Sequence, residues 1–310
     1  MKLIDSFQVK QALTFPDLVS ALKQTFSLPF GMPQRQVYEL SSDNHDAFAV
    51  LPAWNEEVMG VKSFTYLPDN PEHLKSIYAQ ILLFSRKTGE PLAVVDGTEA
   101  TYWRTAAVSA LAASYLAPIH AERLLLCGTG NLASYMALAH ASVRPIKEVK
   151  VWGRNASKIQ TVVEKIKAER PDLHVSSLTE LTQQTVNWAD IISCATRSPK
   201  PLFEGSWVSE GTHVDLVGNH LKNARECDTE LVLRSDVYVD AKINTFSEAG
   251  ELLIPVAEEK FELAKVKGEL SQLCKGEIDG RTVDSSITLF KSVGTAIADL
   301  SCAHLVYQQT

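Results

Sequence analysis

Residues 124–133 read Leu124-Leu125-Leu126-Cys127-Gly128-Thr129-Gly130-Asn131-Leu132-Ala133. Leu124 to Cys127 is an unbroken apolar run, as expected of a short strand covered on both faces in a parallel sheet. Gly128 and Gly130 permit a tight turn in which backbone N–H groups approach a pyrophosphate. Ala133 is small enough for a following helix to pack closely on the strand. Helical spacing continues through Ala137, Leu138 and Ala141. A phosphate at that helix N-terminus would meet unpaired N–H groups and the positive end of the helix dipole. Taken alone, the pattern fits a structural turn as well as a dinucleotide site. The strand before it and the helix after it supply the context a dinucleotide site requires.

One strand further on, Glu148 to Trp152 ends in Gly153-Arg154, with Asn155 next and Lys158 one helical turn later. In sites selective for NAD this strand end carries an acid for the ribose hydroxyls. A cation here suits a 2′-phosphate, so NADPH is the expected coenzyme, with NADH as the alternative. The competing reading of Arg154 and Lys158 is a solvated helix start, which the dipole does not favour for basic residues.

The alternation continues on either side. Apolar runs at 123–127, 148–152, 189–194, 213–217 and 236–240 alternate with helical stretches, the pattern of a doubly wound parallel sheet. The first hundred residues differ. A helix over 14–28, with Thr14 as N-cap and Pro16 in its first turn, precedes β-like runs at Gln34–Leu40, Ala47–Pro52, Val58–Tyr66, Ile77–Ser85 and Leu92–Val95. Arg86-Lys87-Thr88-Gly89-Glu90 between the last two is a hairpin signal, and the meander predicts a mostly antiparallel sheet. A long helix over about Thr98–Ala117, dense in alanine, ends at Pro118.

The 310 residues carry a net charge of −7, which argues against a nucleic-acid surface. No stretch approaches the ~18 apolar residues of a membrane helix. Met1-Lys2-Leu3-Ile4-Asp5 lacks a signal-peptide core. The five cysteines are spread without a C-x-x-C pair, so no disulfide framework and no metal site is expected. A cytoplasmic protein with reduced thiols is the expectation.

No serine-hydrolase or metalloprotease motif is present, and His213, within a strand, reads as a core histidine. Arg35, Lys62 and Arg104 stand out instead. Arg104 lies in an apolar helix, where a guanidinium needs an anionic partner. A substrate carboxylate is one such partner and a structural ion pair is another.

The run Phe84-Ser85-Arg86-Lys87-Thr88-Gly89-Glu90-Pro91-Leu92-Ala93-Val94-Val95-Asp96-Gly97, then Trp103-Arg104-Thr105-Ala106-Ala107-Val108-Ser109-Ala110-Leu111-Ala112-Ala113, resembles the signature of the ornithine cyclodeaminase/μ-crystallin family. Met32-Pro33-Gln34-Arg35, Gly60-Val61-Lys62, Gly128-Thr129-Gly130-Asn131-Leu132-Ala133 and Trp152-Gly153-Arg154 match its other motifs, so the resemblance covers nearly the whole chain. It implies an α+β substrate-binding and dimerisation domain built from residues 1–120 and 285–310, around a Rossmann NADP-binding domain at 121–284. It implies a homodimer. Arg35, Lys62 and Arg104 match carboxylate-binding cations, with Lys62 and Arg104 catalytic. Arg104 and Thr105 also match positions near the nicotinamide and phosphates. Gly128, Thr129, Gly130, Asn131 and Leu132 match the pyrophosphate turn. Gly153, Arg154, Asn155 and Lys158 surround the 2′-phosphate position. Cys194, Ala195, Thr196 and Val217 match loops lining the nicotinamide site, and Gly294 a C-terminal contact to the cofactor.

Ornithine cyclodeaminases resemble one another in a Gly-Asp-Cys-Pro-Gly-Lys segment whose aspartate moves protons. Here the stretch is Gly218-Asn219-His220-Leu221-Lys222-Asn223, and Asn219 is no carboxylate base. Asp228 reads as a helix N-cap rather than a substitute. The expectation is an NADPH-dependent reductase of cyclic ketimines, taking Δ1-pyrroline-2-carboxylate to L-proline and also accepting Δ1-piperideine-2-carboxylate. Lys62 completes the anion site and can relay a proton, directly or through water, with Lys62 and water as the two candidate donors. An ornithine cyclodeaminase, an alanine-type dehydrogenase and a non-catalytic NADP-dependent binding protein are the alternatives.

Overall fold

The computed structural model describes residues 1–41, 46–71 and 73–310. They form two compact units, Met1–Arg104 with Thr295–Thr310, and Thr105–Gly294. The first unit opens with β1 (Lys2–Ile4), α1 (Ser6–Ala12) and α2 (Phe15–Ser27). Thr14 Oγ1 accepts from the Asp17 N–H to start α2, and Leu18, Leu22 and Phe26 bury its apolar stripe. β2 (Gln36–Glu39), β3 (Ala47–Trp54), β4 (Val58–Tyr66), β5 (Ile77–Ser85) and β6 (Pro91–Asp96) follow, then α3 (Gly97–Leu116). The sheet runs β1-β6-β5-β4-β3-β2, antiparallel except for the β1–β6 pair. Gly89 closes the β5–β6 hairpin at φ +77°. That conformation is open to glycine without steric cost.

Strand alternation decides what β4 shows the core. Lys62 pairs with Leu51 on β3 and Ile81 on β5, both buried, so it stands on the covered face. The C-terminal helix, Ala296–Gln309, packs on that face of β4 and β5 and on α2, where Thr25 Oγ1 and Ser301 Oγ are 2.9 Å apart.

The second unit contains β7 (Arg123–Cys127), α4 (Ala133–Val143), β8 (Glu148–Trp152), α5 (Ala156–Glu169), β9 (His174–Leu178), α6 (Gln183–Asn187), β10 (Ile191–Cys194) and β11 (His213–Leu216). It continues with α7 (Thr229–Arg234), β12 (Ser235–Val239), α8 (Lys242–Glu248), α9 (Gly250–Ala257), β13 (Gly268–Glu269), α10 (Leu270–Lys275) and β14 (Ile287–Lys291). All eight strands are parallel, in the order β13-β12-β14-β11-β10-β7-β8-β9. From β7 the chain winds outward through β8 and β9, then returns to β10 on the other side. The β7–β10 pair is therefore the switch point of the sheet, where doubly wound folds bind ligands at the carboxyl ends of their strands.

The units divide at 104/105 and 294/295 rather than at the expected 120/121 and 284/285. The first division falls inside α3, so proline at 118 marks a helix end without marking a domain end. The second is moved by β14. Its run Ile287–Lys291 pairs in register with β11 and β12 and completes the parallel sheet. Strand β10 begins at Ile191 instead of 189, because the Asp190 carboxylate accepts from the Glu122 and Arg123 N–H groups and pairs with the Arg123 guanidinium. No helix among the described residues is long and apolar enough to cross a membrane.

Candidate active site

In the first unit three chain segments meet at one carboxylate. Asp299, in the C-terminal helix, is 1% exposed. Its Oδ1 lies 3.0 Å from Lys62 Nζ and 2.9 Å from Arg104 Nε. Lys62 is 3% and Arg104 7% exposed, so both cations are largely out of water and need the anion. Lys62 Nζ also donates to Thr101 Oγ1 at 2.7 Å, which leaves one of its three N–H donors uncommitted. Burial lowers the Lys62 ammonium to about 8; the Asp299 charge opposes this, and the Arg104 and Arg35 charges add to it. Arg35, just ahead of β2, is half-buried and near enough for its charge to be felt at Lys62.

Asp299 was not among the residues expected from the sequence, nor was Thr101. The signal for Asp299 was present: it is the one acid in the helix Ala296–Gln309, the mirror image of Arg104 among alanines.

In the second unit the turn after β7 is tightly packed against its neighbouring strand ends. Gly128 sits at φ +131°, and a Cβ there would come within 2.6 Å of the Ala195 carbonyl. Cys127 and Cys194 are register partners, so the Gly128 turn and the Ala195-Thr196 loop leave adjacent strand ends at the switch point. At Gly153 a Cβ would meet Thr129 Cγ2 at 2.5 Å, so this glycine lets the turn approach the end of β8. Gly130 is exposed, with nothing within 4 Å of its Cβ position. Leu132 precedes α4 without a side-chain cap, and the Ala133 N–H at the start of that helix donates to the Gly130 carbonyl at 3.1 Å. These residues fit a pyrophosphate. Arg154 is exposed and makes no hydrogen bond or ion pair among the described residues, and Lys158 is exposed as well. Asn155 caps α5 by accepting from the Lys158 N–H at 3.1 Å.

The loops after β10 and β11 are tied by one acid. Glu226 accepts from the Thr196 N–H and Oγ1 and from the Gly218 N–H, at 2.7, 2.8 and 2.8 Å. Burial raises this carboxyl to about 7. Val217 donates to the Cys194 carbonyl at 3.0 Å. The Cys194 thiol is pushed well above its ordinary value by its hydrogen bond with Cys127 and by burial, so it is no nucleophile. Gly294 holds φ +89°, its N–H on Asp240 Oδ2 and its carbonyl on Asn244 Nδ2. Thr105, the residue after Arg104, is half-buried in α3. Asn219 is buried and committed: Nδ2 donates to the Ser198 carbonyl at 2.7 Å, and Oδ1 accepts from the Leu221 N–H. Asp228 caps α7 through the Leu231 N–H, and His213 is a core residue bonded to Thr288.

Residues 6–310 match the profile of the ornithine cyclodeaminase/mu-crystallin family. The chain belongs to that family. It is 52% identical to the Δ1-pyrroline-2-carboxylate reductase of Colwellia psychrerythraea strain 34H, covering 100% of this chain and 99% of that one. Within the family it also resembles, with a TM-score of 0.95 and 29% identity, the Thermococcus litoralis Δ1-pyrroline-2-carboxylate reductase in complex with NADH and L-proline. That likeness covers 100% of this chain and 97% of the other. An archaeal alanine dehydrogenase dimer with bound NAD has a TM-score of 0.92 at 26% identity, covering 100% and 95%.

Proposed function

We propose that this chain is an NADPH-dependent reductase of cyclic ketimines that converts Δ1-pyrroline-2-carboxylate to L-proline. The observation that carries the reading is the buried Lys62–Asp299–Arg104 cluster with Arg35 nearby. Its excess of positive charge suits a small carboxylate, and one Lys62 N–H is left to give a proton. The 52% identity to a reductase of that name along the full length supports it.

Arg35 and Arg104 hold the substrate carboxylate, Arg104 by its guanidinium edge beyond Nε. Lys62 gives its proton to the imine nitrogen as that nitrogen gains the electron pair of the reduced C=N bond. An ammonium near 8 is well matched to proton donation at neutral pH. Bound NADPH supplies the hydride. Gly128, Thr129, Gly130, Asn131 and Leu132 bind its pyrophosphate; Gly153, Arg154, Asn155 and Lys158 form the 2′-phosphate end, with Arg154 selecting NADPH over NADH. Cys194, Ala195, Thr196, Val217, Gly294 and Thr105 support the nicotinamide half. Asn219, with both amide atoms committed, argues against ornithine cyclodeamination.

The outward face of the first sheet is apolar, with Leu3 74% exposed and Phe48, Trp54 and Tyr78 also exposed. A second copy of the chain covers it in a homodimer. The cytoplasm, where the five free thiols stay reduced, is the compartment this reading implies.

NADPH oxidation measured against pyrroline-2-carboxylate, piperideine-2-carboxylate, pyruvate plus ammonia, and ornithine tests the proposal. Turnover with the cyclic imines supports it. Ammonia release from ornithine alone, without net NADPH use, overturns it.

A further inference from the structure

Asp299 spends its carboxylate unevenly. Oδ1 takes both cations, while Oδ2 is buried and accepts no hydrogen bond. Among the described residues nothing else donates to this anion, so its charge is directed at Lys62 and Arg104. The other charged groups facing Lys62 are Arg104 on α3 and Arg35 ahead of β2, both of which oppose its protonation. Cys302, one turn along the C-terminal helix, is a thiol that burial raises to about 12 and is therefore uncharged. Glu99 on α3 lies 3.6 Å from Lys10.

We propose that Asp299 is the positioning residue of this site: through Oδ1 it fixes Lys62 Nζ, holds it protonated against two neighbouring cations, and aligns Arg104 with the same atom. The proposal rests on the reductase reading for the role of Lys62 but not for the geometry. Two of the three Lys62 N–H groups are pinned, one to Asp299 and one to Thr101, so the third has a defined direction. Net charge follows the same logic. Arg35, Lys62 and Arg104 give +3 and Asp299 brings the site to +2. A bound carboxylate leaves +1, which falls to zero when Lys62 gives up its proton. Without Asp299 every step of that series sits one charge higher, which disfavours the protonated lysine.

The test separates place from chemistry. Lysine labelled with 13C at Cε gives a substrate-independent titration of Lys62, assigned by its loss in Lys62→Met. Asp299→Asn is expected to lower the Lys62 midpoint by at least about one pH unit. The alkaline limb of kcat/KM moves down in step, and Asp299→Glu restores the midpoint. Asp299→Ser removes the same charge with less bulk and carries the comparison if the asparagine variant does not fold. An unchanged midpoint in a folded, charge-free variant overturns the proposal, whatever its activity. A shifted midpoint in a protein that reduces no cyclic imine upholds the positioning role and removes the reductase reading.

Discussion

Arg104 Nε and Asp299 Oδ1 lie 2.9 Å apart although 195 residues separate them in the chain. One end of the Arg104 guanidinium is therefore anchored, and in the proposed reading the other end holds the substrate carboxylate. Arg104→Ala removes both contacts. Losing one partner of a buried charge pair costs roughly 2–5 kcal/mol, so kcat/KM for the imine is expected to fall at least about 30-fold. Circular dichroism checks that the protein stays folded. A near-normal kcat/KM rules out the clamp.

Lys62 must carry its proton to act as the acid. Its ammonium, lowered by burial to about 8, loses that proton as pH rises. The rate is thus expected to be flat below about pH 7 and to decline tenfold per unit above about 8. Steady-state kcat/KM from pH 6 to 10 reads this directly. Lys62→Met abolishes the limb together with most of the activity.

Arg154 is exposed and has no partner among the described residues, and the proposed reading puts the 2′-phosphate on it. A charge-assisted contact of about 1.5–3 kcal/mol predicts that Arg154→Ala raises the KM for NADPH about ten- to a hundredfold. The KM for NADH should stay within about twofold. Equal changes for the two coenzymes would show that Arg154 reads no 2′-phosphate.

Gly128 and Gly130 separate strain from contact. Gly128→Ala forces a side chain to φ +131° against the Ala195 carbonyl, and a lower Tm is expected, at a cost of roughly 1–3 kcal/mol. Gly130→Ala meets no atom within 4 Å, so Tm should hold while coenzyme affinity drops. Differential scanning calorimetry and coenzyme titration distinguish the two.

Glu226 makes stability depend on pH. Burial raises its folded-state carboxyl from 4.5 to about 7, so between these values the folded protein binds the extra proton. Its contribution is present in full below about 4.5 and is lost as pH rises through about 7. The size is on the order of 3 kcal/mol. Glu226→Gln should flatten that part of the Tm–pH curve. It should also loosen the Thr196 and Gly218 loops, because an amide cannot accept from all three of their donors. A curve identical to that of the unaltered protein would exclude the group.

Local pattern carried much of this protein. The apolar run at 124–127, the glycines after it, the Arg86–Glu90 hairpin and the cap at Thr14 depend on neighbours within a few residues, and each forms where its chemistry calls for it. The cations Arg35, Lys62 and Arg104 were legible because positive charge in apolar surroundings demands an anion. What answers that demand was not legible. Asp299 meets Lys62 only because β4 turns alternate residues inward and the C-terminal helix lies against that face. Strand β14 joins the parallel sheet through ladders to β11 and β12, which its own five residues do not announce. Glu226 clamps two loops whose residues lie 30 and 8 positions away. Sequence by itself determined which groups must be paired and which turns must be glycine, since those are costs borne locally. Only the tertiary structure decided the partners, because a buried charge is satisfied by whichever group packing brings within about 3 Å, at any separation along the chain.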